Sequence, residues 1–156
     1  MPEAGAVFSN TNSILVCIHG SGSQGIYGKL VNFYLKEPVD FAGAADLILK
    51  IDLICDQLEE TGGKREKPFL NYEMKQRFRR KHCGCLTASA EYLLNQKSGL
   101  AYPEAMQAKE LLTVSIDFRR NFSMQGRVRG RLTEDRYVHF RSALELLRMV
   151  DMIEIT

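Results

Sequence analysis

Lys75, Arg77, Arg79, Arg80 and Lys81 place five cations, with Phe78 among them, in seven consecutive residues. Neutralising a phosphate releases counterions, so such a cluster suits salt-dependent contact with nucleic acid, or with an acidic protein surface. A second set lies further on. Arg127, Arg129 and Arg131 alternate with Val128 and Gly130, which puts three guanidinium groups on one strand face, with Arg119 and Arg120 on a neighbouring run. Arginine's planar fork suits either a phosphate backbone or a row of carboxylates. The plainer role for both sets is a solvated face paired with acidic residues elsewhere in the chain.

Two further motifs carry less. His82-Cys83-Gly84-Cys85 offers three soft ligands, but a structural zinc site wants a fourth ligand and usually two residues between paired cysteines, so no metal is assigned. Gly20-Ser21-Gly22-Ser23-Gln24-Gly25 fits a dinucleotide fingerprint following a strand. The related stretch Asn121-Phe122-Ser123-Met124-Gln125-Gly126 keeps only the last glycine and leads into a strand, so a hairpin loop is the better reading and no cofactor is expected. His19-Gly20 hints at an oxyanion loop, yet the chain has no Gly-x-Ser-x-Gly nucleophile elbow. No nucleophile, base and orienting group stand together in the sequence, which argues against an enzyme.

The elements that must position these residues come from a repeat. Phe41 to Ile54 and Phe140 to Ile153 match in register, with five of the 14 positions identical: Phe41/Phe140, Ala44/Ala143, Leu47/Leu146, Asp52/Asp151 and Ile54/Ile153. Upstream, Gln24-Gly25 and Gln125-Gly126 form a further correspondence. Each copy reads as three strands and a helix. Ile14, Val16 and Ile18 alternate with polar positions; Ile26 to Leu35 and Val39 to Phe41 come next, with a turn at Lys36-Glu37-Pro38. In the second copy Val114, Ile116 and Phe118, then Val128, Gly130 and Leu132, carry the period of two, and Thr133 to Arg136 turn into the return strand Tyr137 to Phe140. Ser142 and Glu145 form a capping box. Ala44, Leu47, Ile48, Ile51, Ile54, Cys55 and Leu58, and likewise Ala143, Leu146, Leu147, Val150 and Ile153, form apolar helix stripes. The Asp52/Asp151 pair beside those stripes is expected to be solvated or paired with a basic residue.

The middle differs from both copies. Thr61-Gly62-Gly63 ends the first helix, Phe69 to His82 and Leu86 to Gln96 read as helices with Phe69, Tyr72 and Phe78 inward, and Pro103 opens a third short helix through Leu112. The expected organisation is a loose arm at 1–12, repeats at 13–60 and 113–156, and a basic insert at 61–112. Charge follows this division. Residues 1–60 carry 3 Lys/Arg against 8 Asp/Glu, and residues 61–85 carry 8 against 2, although the whole chain is only +2. Such halves attract each other within one molecule or between two, so a homodimer is among the expected states. With 156 residues, 45% of them hydrophobic, the chain can bury roughly 68–70% of its unfolded surface in one compact domain. Neither a secretory leader nor an apolar run of about 18 residues is evident, and two of the four cysteines sit in apolar patterns, so a cytoplasmic protein away from membranes is expected.

Arg119 to Val128, followed by Phe140-Arg141-Ser142-Ala143-Leu144-Glu145-Leu146, resembles a group of small, largely uncharacterised proteins of gut Firmicutes. They share a stretch F-R-Q-N-x-S-W-Q-G-x-V before F-R-S-A-L-E-L, and Met124 stands where that group has tryptophan. Phe41 to Asp52 is similar to companion proteins of the group. The resemblance spans about half of the chain and brings no activity or catalytic residue.

These readings imply an α+β fold: two pseudo-symmetric strand-strand-strand-helix repeats in antiparallel sheet, joined by a helical insert. The expected function is a non-enzymatic protein-interaction or regulatory module with an unknown protein partner. The alternatives are a nucleic-acid-binding protein using Lys75, Arg77, Arg79, Arg80, Lys81, Arg127, Arg129 and Arg131, or a phage or mobile-element inhibitor of a nucleic-acid-processing enzyme.

Overall fold

The computed structural model describes residues 13–32, 35, 37–58, 68–82, 103–119 and 123–155. Alternation in the apolar runs is realised as one antiparallel sheet. Strands β1 (Ser13–Gly22), β2 (Gly25–Val31) and β3 (Val39–Ala42) lead into helix α1 (Ala44–Leu58). After α2 (Tyr72–His82) and the short α3 (Pro103–Gln107), strands β4 (Glu110–Phe118), β5 (Gln125–Gly130) and β6 (Val138–Phe140) lead into α4 (Ala143–Asp151). The fold is α+β, with sheet order β3-β2-β1-β4-β5-β6. Both sets of three strands therefore run outward in chain order from the central β1–β4 pair, and they form one continuous sheet rather than two packed ones.

Ile14, Val16 and Ile18 of β1, Leu112, Val114 and Ile116 of β4, and Val128 of β5 face α1 and α4 and are buried with Leu47, Ile51, Ile54, Leu146 and Val150. The helical stripes thus lie where their spacing places them, and Ala143, Leu147 and Ile153 pack at the edge of the same core. Ser142 caps α4 by accepting the amide of Glu145 at 3.1 Å. The Glu145 carboxylate goes one residue further back than a capping box requires, accepting the amide of Arg141 at 2.6 Å. The Arg141 guanidinium, and after it that amide hydrogen bond, hold the Glu145 carboxyl below its ordinary range.

A phenylalanine faces a glycine in each half. Gly28 pairs with Ile18 on one side and Phe41 on the other, and Gly126 pairs likewise with Ile116 and Phe140. Just beyond Ile18 and Ile116 the register slips, a bulge at His19 in β1 and at Asp117 in β4. The register therefore makes Gly28 the counterpart of Gly126, which corrects the equivalence of Gly25 with Gly126. Gly25 instead closes the two-residue turn Ser23-Gln24, so the glycine-rich stretch continues β1, turns, and enters β2 rather than a helix.

Four other expectations are corrected. The bulge at Asp117 turns Phe118 away from the core, leaving it 58% exposed, because an extra residue swaps the sheet faces of the residues after it. Strand β5 stops at Gly130, and Leu132 is exposed in a single 3₁₀ turn, Arg131–Thr133, closed by Glu134 and Asp135 in left-handed conformations. Helix α3 is five residues long, and the chain is already in β4 at Glu110, three residues before the expected boundary at 113. Helix α2 starts not at Phe69 but at Tyr72, where the Asn71 side chain accepts the amide of Met74 at 2.8 Å, and Tyr72 does not turn inward. Tyr72 is 74% exposed, and Phe69 packs on Phe78 of the same segment with ring centroids 5.1 Å apart. The expected helix at Leu86 to Gln96 and the cysteines Cys83 and Cys85 lie outside the described residues.

Candidate partner-binding surface

Helix α2 has Glu73 as its sole carboxylate against five Lys/Arg in eleven residues. Residues three and four apart share a helix face, so Arg77, Arg80 and Lys81 stand together on one side. Arg79 lies on another. All four side chains are exposed, and none has an ion-pair or hydrogen-bond partner among the described residues. Lys75 is half-buried and engaged in a contact. Like charges four residues apart cost a helix a few tenths of a kcal/mol, so the Arg77 and Lys81 pair is not there to support the helix. Three cations in the last turn gain part of that back from the helix dipole. Leu70 beside the helix is 89% exposed, so this segment presents apolar as well as cationic groups.

The arginine row is put to a different use. Arg127 and Arg129 lie on the sheet face opposite α1 and α4, and both guanidinium groups stack on Tyr137, at 4.7 and 5.2 Å from the ring centroid. Arg127 also lies 3.2 Å from the Asp117 carboxylate, close enough for an ion pair but not aligned as a hydrogen bond through Nε. Arg131 is not part of the row at all, because it comes after the end of β5. It grips the carboxylate of Glu110 through Nε at 3.2 Å and Nη2 at 2.6 Å. Sequence reading thus grouped three arginines of which only Arg127 and Arg129 share a face, and internal partners occupy all three: a carboxylate for Arg127 and Arg131, and the Tyr137 ring and hydroxyl for Arg129. The tie between Arg131 and Glu110 had no sequence signal, since it arises from the β4–β5 pairing across 21 residues.

Arg119 reaches back from the end of β4 to α1, where its guanidinium meets Asp52 at 2.7 Å and also contacts Asp56. Burial works against its charge, but the carboxylates of Asp56 and Asp52 outweigh that and raise its pKa above the ordinary value. Asp52 is therefore paired with a basic residue, whereas its repeat partner Asp151 is exposed.

Other chemistry is sparse among the described residues. No group of three or more His, Cys, Asp or Glu side chains is placed to hold a metal ion. An open cleft of about 570 Å³ where the start of α1 meets α4 holds Asp46, Arg148 and Asp151 among apolar residues. Asp46 there is already committed to the amide of Ala42 at 3.0 Å and to Lys50 at 3.1 Å. Cys17 is buried in β1, and burial, with the Glu104 carboxylate nearby, pushes its thiol up to about 11. Since the thiolate is the reactive form, Cys17 should resist iodoacetamide at pH 8 in the folded protein and react once urea unfolds it, as read by peptide mass mapping. Alkylation of native Cys17 at the rate of a free thiol would refute this. No helix among the described residues is long and apolar enough to cross a membrane. No family model, curated protein or solved structure matches the chain.

Proposed function

We propose that this protein is a non-enzymatic interaction module of the cytoplasm that engages an acidic macromolecular partner through helix α2. One observation carries the reading. Arg77, Arg79, Arg80 and Lys81 are exposed and without internal partners among the described residues, while Arg119, Arg127 and Arg131, elsewhere in the chain, are each committed to a carboxylate. A partner supplying negative charge relieves the mutual repulsion of the cations, and the exposed Leu70 and Tyr72 provide apolar contact beside them. The buried thiols of Cys17 and Cys55, not joined in a disulfide, accord with a reducing compartment.

Nucleic acid is the second reading, favoured by the clustering of Arg77, Arg80 and Lys81 on one face, a spacing that suits successive phosphates. The inhibitor reading is a special case of the first, with the acidic surface belonging to a nucleic-acid-processing enzyme.

The test is binding of the purified protein to single- and double-stranded DNA, RNA and poly-glutamate across a salt series, for the wild type and the variant R77E/R79E/R80E/K81E. The variant should lose at least about 100-fold in affinity while its melting temperature stays close to that of the wild type, because the side chains reversed are exposed. A steep salt slope on nucleic acid, with no binding of poly-glutamate, would select the second reading. Absence of binding to every polyanion at low salt, or affinity unchanged in the variant, would refute both.

A further inference from the structure

The two edges of the sheet are finished differently. On the β3 edge two outward backbone groups are taken by α1: Lys50 Nζ donates to the Asp40 carbonyl at 2.5 Å, and the Ala42 amide donates to the Asp46 carboxylate at 3.0 Å. The Lys29–Asp40 ion pair adds charge along the same edge. Strand β6 has the same register, Phe140 standing to Gly126 as Phe41 stands to Gly28, so His139 occupies the place of Asp40 and Arg141 that of Ala42. The Arg141 amide is taken by Glu145, the counterpart of Asp46. The counterpart of Lys50, however, is Met149, which has no donor to give.

Backbone groups alternate in direction along a strand, and the Arg141 amide two residues on is turned outward to Glu145, so the N–H and C=O of His139 point away from β5. Neither group has a further backbone partner among the described residues. On the face away from the helices, Arg129 has no carboxylate partner among the described residues and His139 is exposed beside it, while Arg136 in the preceding turn is offset by Glu134 and Asp135. A second copy of β6 would bring a second Arg129 to the same edge, which disfavours self-pairing. On the helix side of the edge stands the half-exposed Val138.

We propose that the β6 edge is a docking site for an extended acidic peptide, which adds as a seventh strand. Its main chain would pair with His139; its carboxylates would face Arg129 and His139, and its alternate apolar residues would cover Val138. The site shares no residue with α2 and does not rest on that reading, so the α2 charge-reversal variant should bind the peptide unchanged.

The probe is a fluorescein-labelled (Val-Glu)₄ peptide, with (Val-Lys)₄ as control, read by anisotropy on the full chain. His139→Pro removes an outward donor and obstructs an incoming strand, yet leaves the inner ladder intact, because proline is tolerated on the free side of an edge strand. The expected results are binding of (Val-Glu)₄ alone, a loss of about tenfold or more in His139→Pro, and slower hydrogen exchange of the His139 amide when the peptide is present. The exchange measurement needs no variant, so a misfolded His139→Pro would not shield the proposal. Equal binding of (Val-Lys)₄, an unprotected His139 amide, or a dimer in light scattering that His139→Pro dissolves would each overturn it.

Discussion

Gly126→Ala is expected to cost this protein about 3 kcal/mol or more, a large share of the total stability of an ordinary domain. A β-carbon at Gly126 would lie 2.0 Å from the Ser115 carbonyl oxygen and 2.9 Å from Cζ of Phe140. The ring can move, but the carbonyl cannot, because Ser115 belongs to β4, which is held on its other side by β1. Gly28→Ala should be equally damaging, with its β-carbon 1.9 Å from the Cys17 carbonyl oxygen. Gly22→Ala is the matched control. Its β-carbon would meet only the Tyr27 ring, at 3.9 Å, so a change under about 1 kcal/mol is expected. Urea unfolding monitored by circular dichroism measures all three. In melting temperature the two damaging changes correspond to a fall of about 6–12 °C. Since the principal clash is with backbone, trimming Phe140 to leucine should not rescue Gly126→Ala. A Gly126→Ala protein within about 1 kcal/mol of the wild type would show that β4 and β5 are held less closely than described.

The second large effect is at Glu110. Its side chain is 5% exposed at the start of β4, and its two oxygens are held by the Arg131 guanidinium. Arg131→Met should destabilise by about 3 kcal/mol, because it leaves a carboxylate out of water with no countercharge. Adding Glu110→Met should restore stability to within about 1 kcal/mol of the wild type, since an apolar pair of similar volume needs no desolvation. The double-mutant cycle separates the net value of the ion pair from the penalty of breaking it. If Arg131→Met alone proved neutral, Glu110 would have to find water or another donor in solution.

The period of two in Ile14, Val16 and Ile18 and in Val114 and Ile116, together with the helical stripes, was sufficient to read an antiparallel α+β fold, because burial on one face dictates residue type at every second or fourth position. What escaped is what does not repeat. The bulge at Asp117 changes the face of Phe118 by insertion of a single residue, and the hydrophobic pattern alone continues straight through it. Gly28 and Gly126 are chosen by a neighbouring strand's carbonyl, a constraint visible only once the register is known. Helix α2 was legible as a helix, but its orientation was not: Phe69, Tyr72 and Phe78 have inward-like spacing, yet Tyr72 is exposed while Phe69 and Phe78, half-buried, pack on each other. Of the candidate surface, the exposed charges of α2 were apparent from composition. The commitments of Arg127 and Arg131 and the openness of β6 depend on cross-strand neighbours that no local stretch encodes.

The unequal finishing of the two sheet edges limits stoichiometry. A sheet open on both sides is a monomer for fibre growth, because each added strand leaves another free edge behind it. Here Lys50 and Asp46 occupy outward groups of the β3 side, so growth is confined to the β6 side. Were the added strand the β6 of a second molecule, only β3 edges would face outward, and the outcome is a closed pair rather than an open filament.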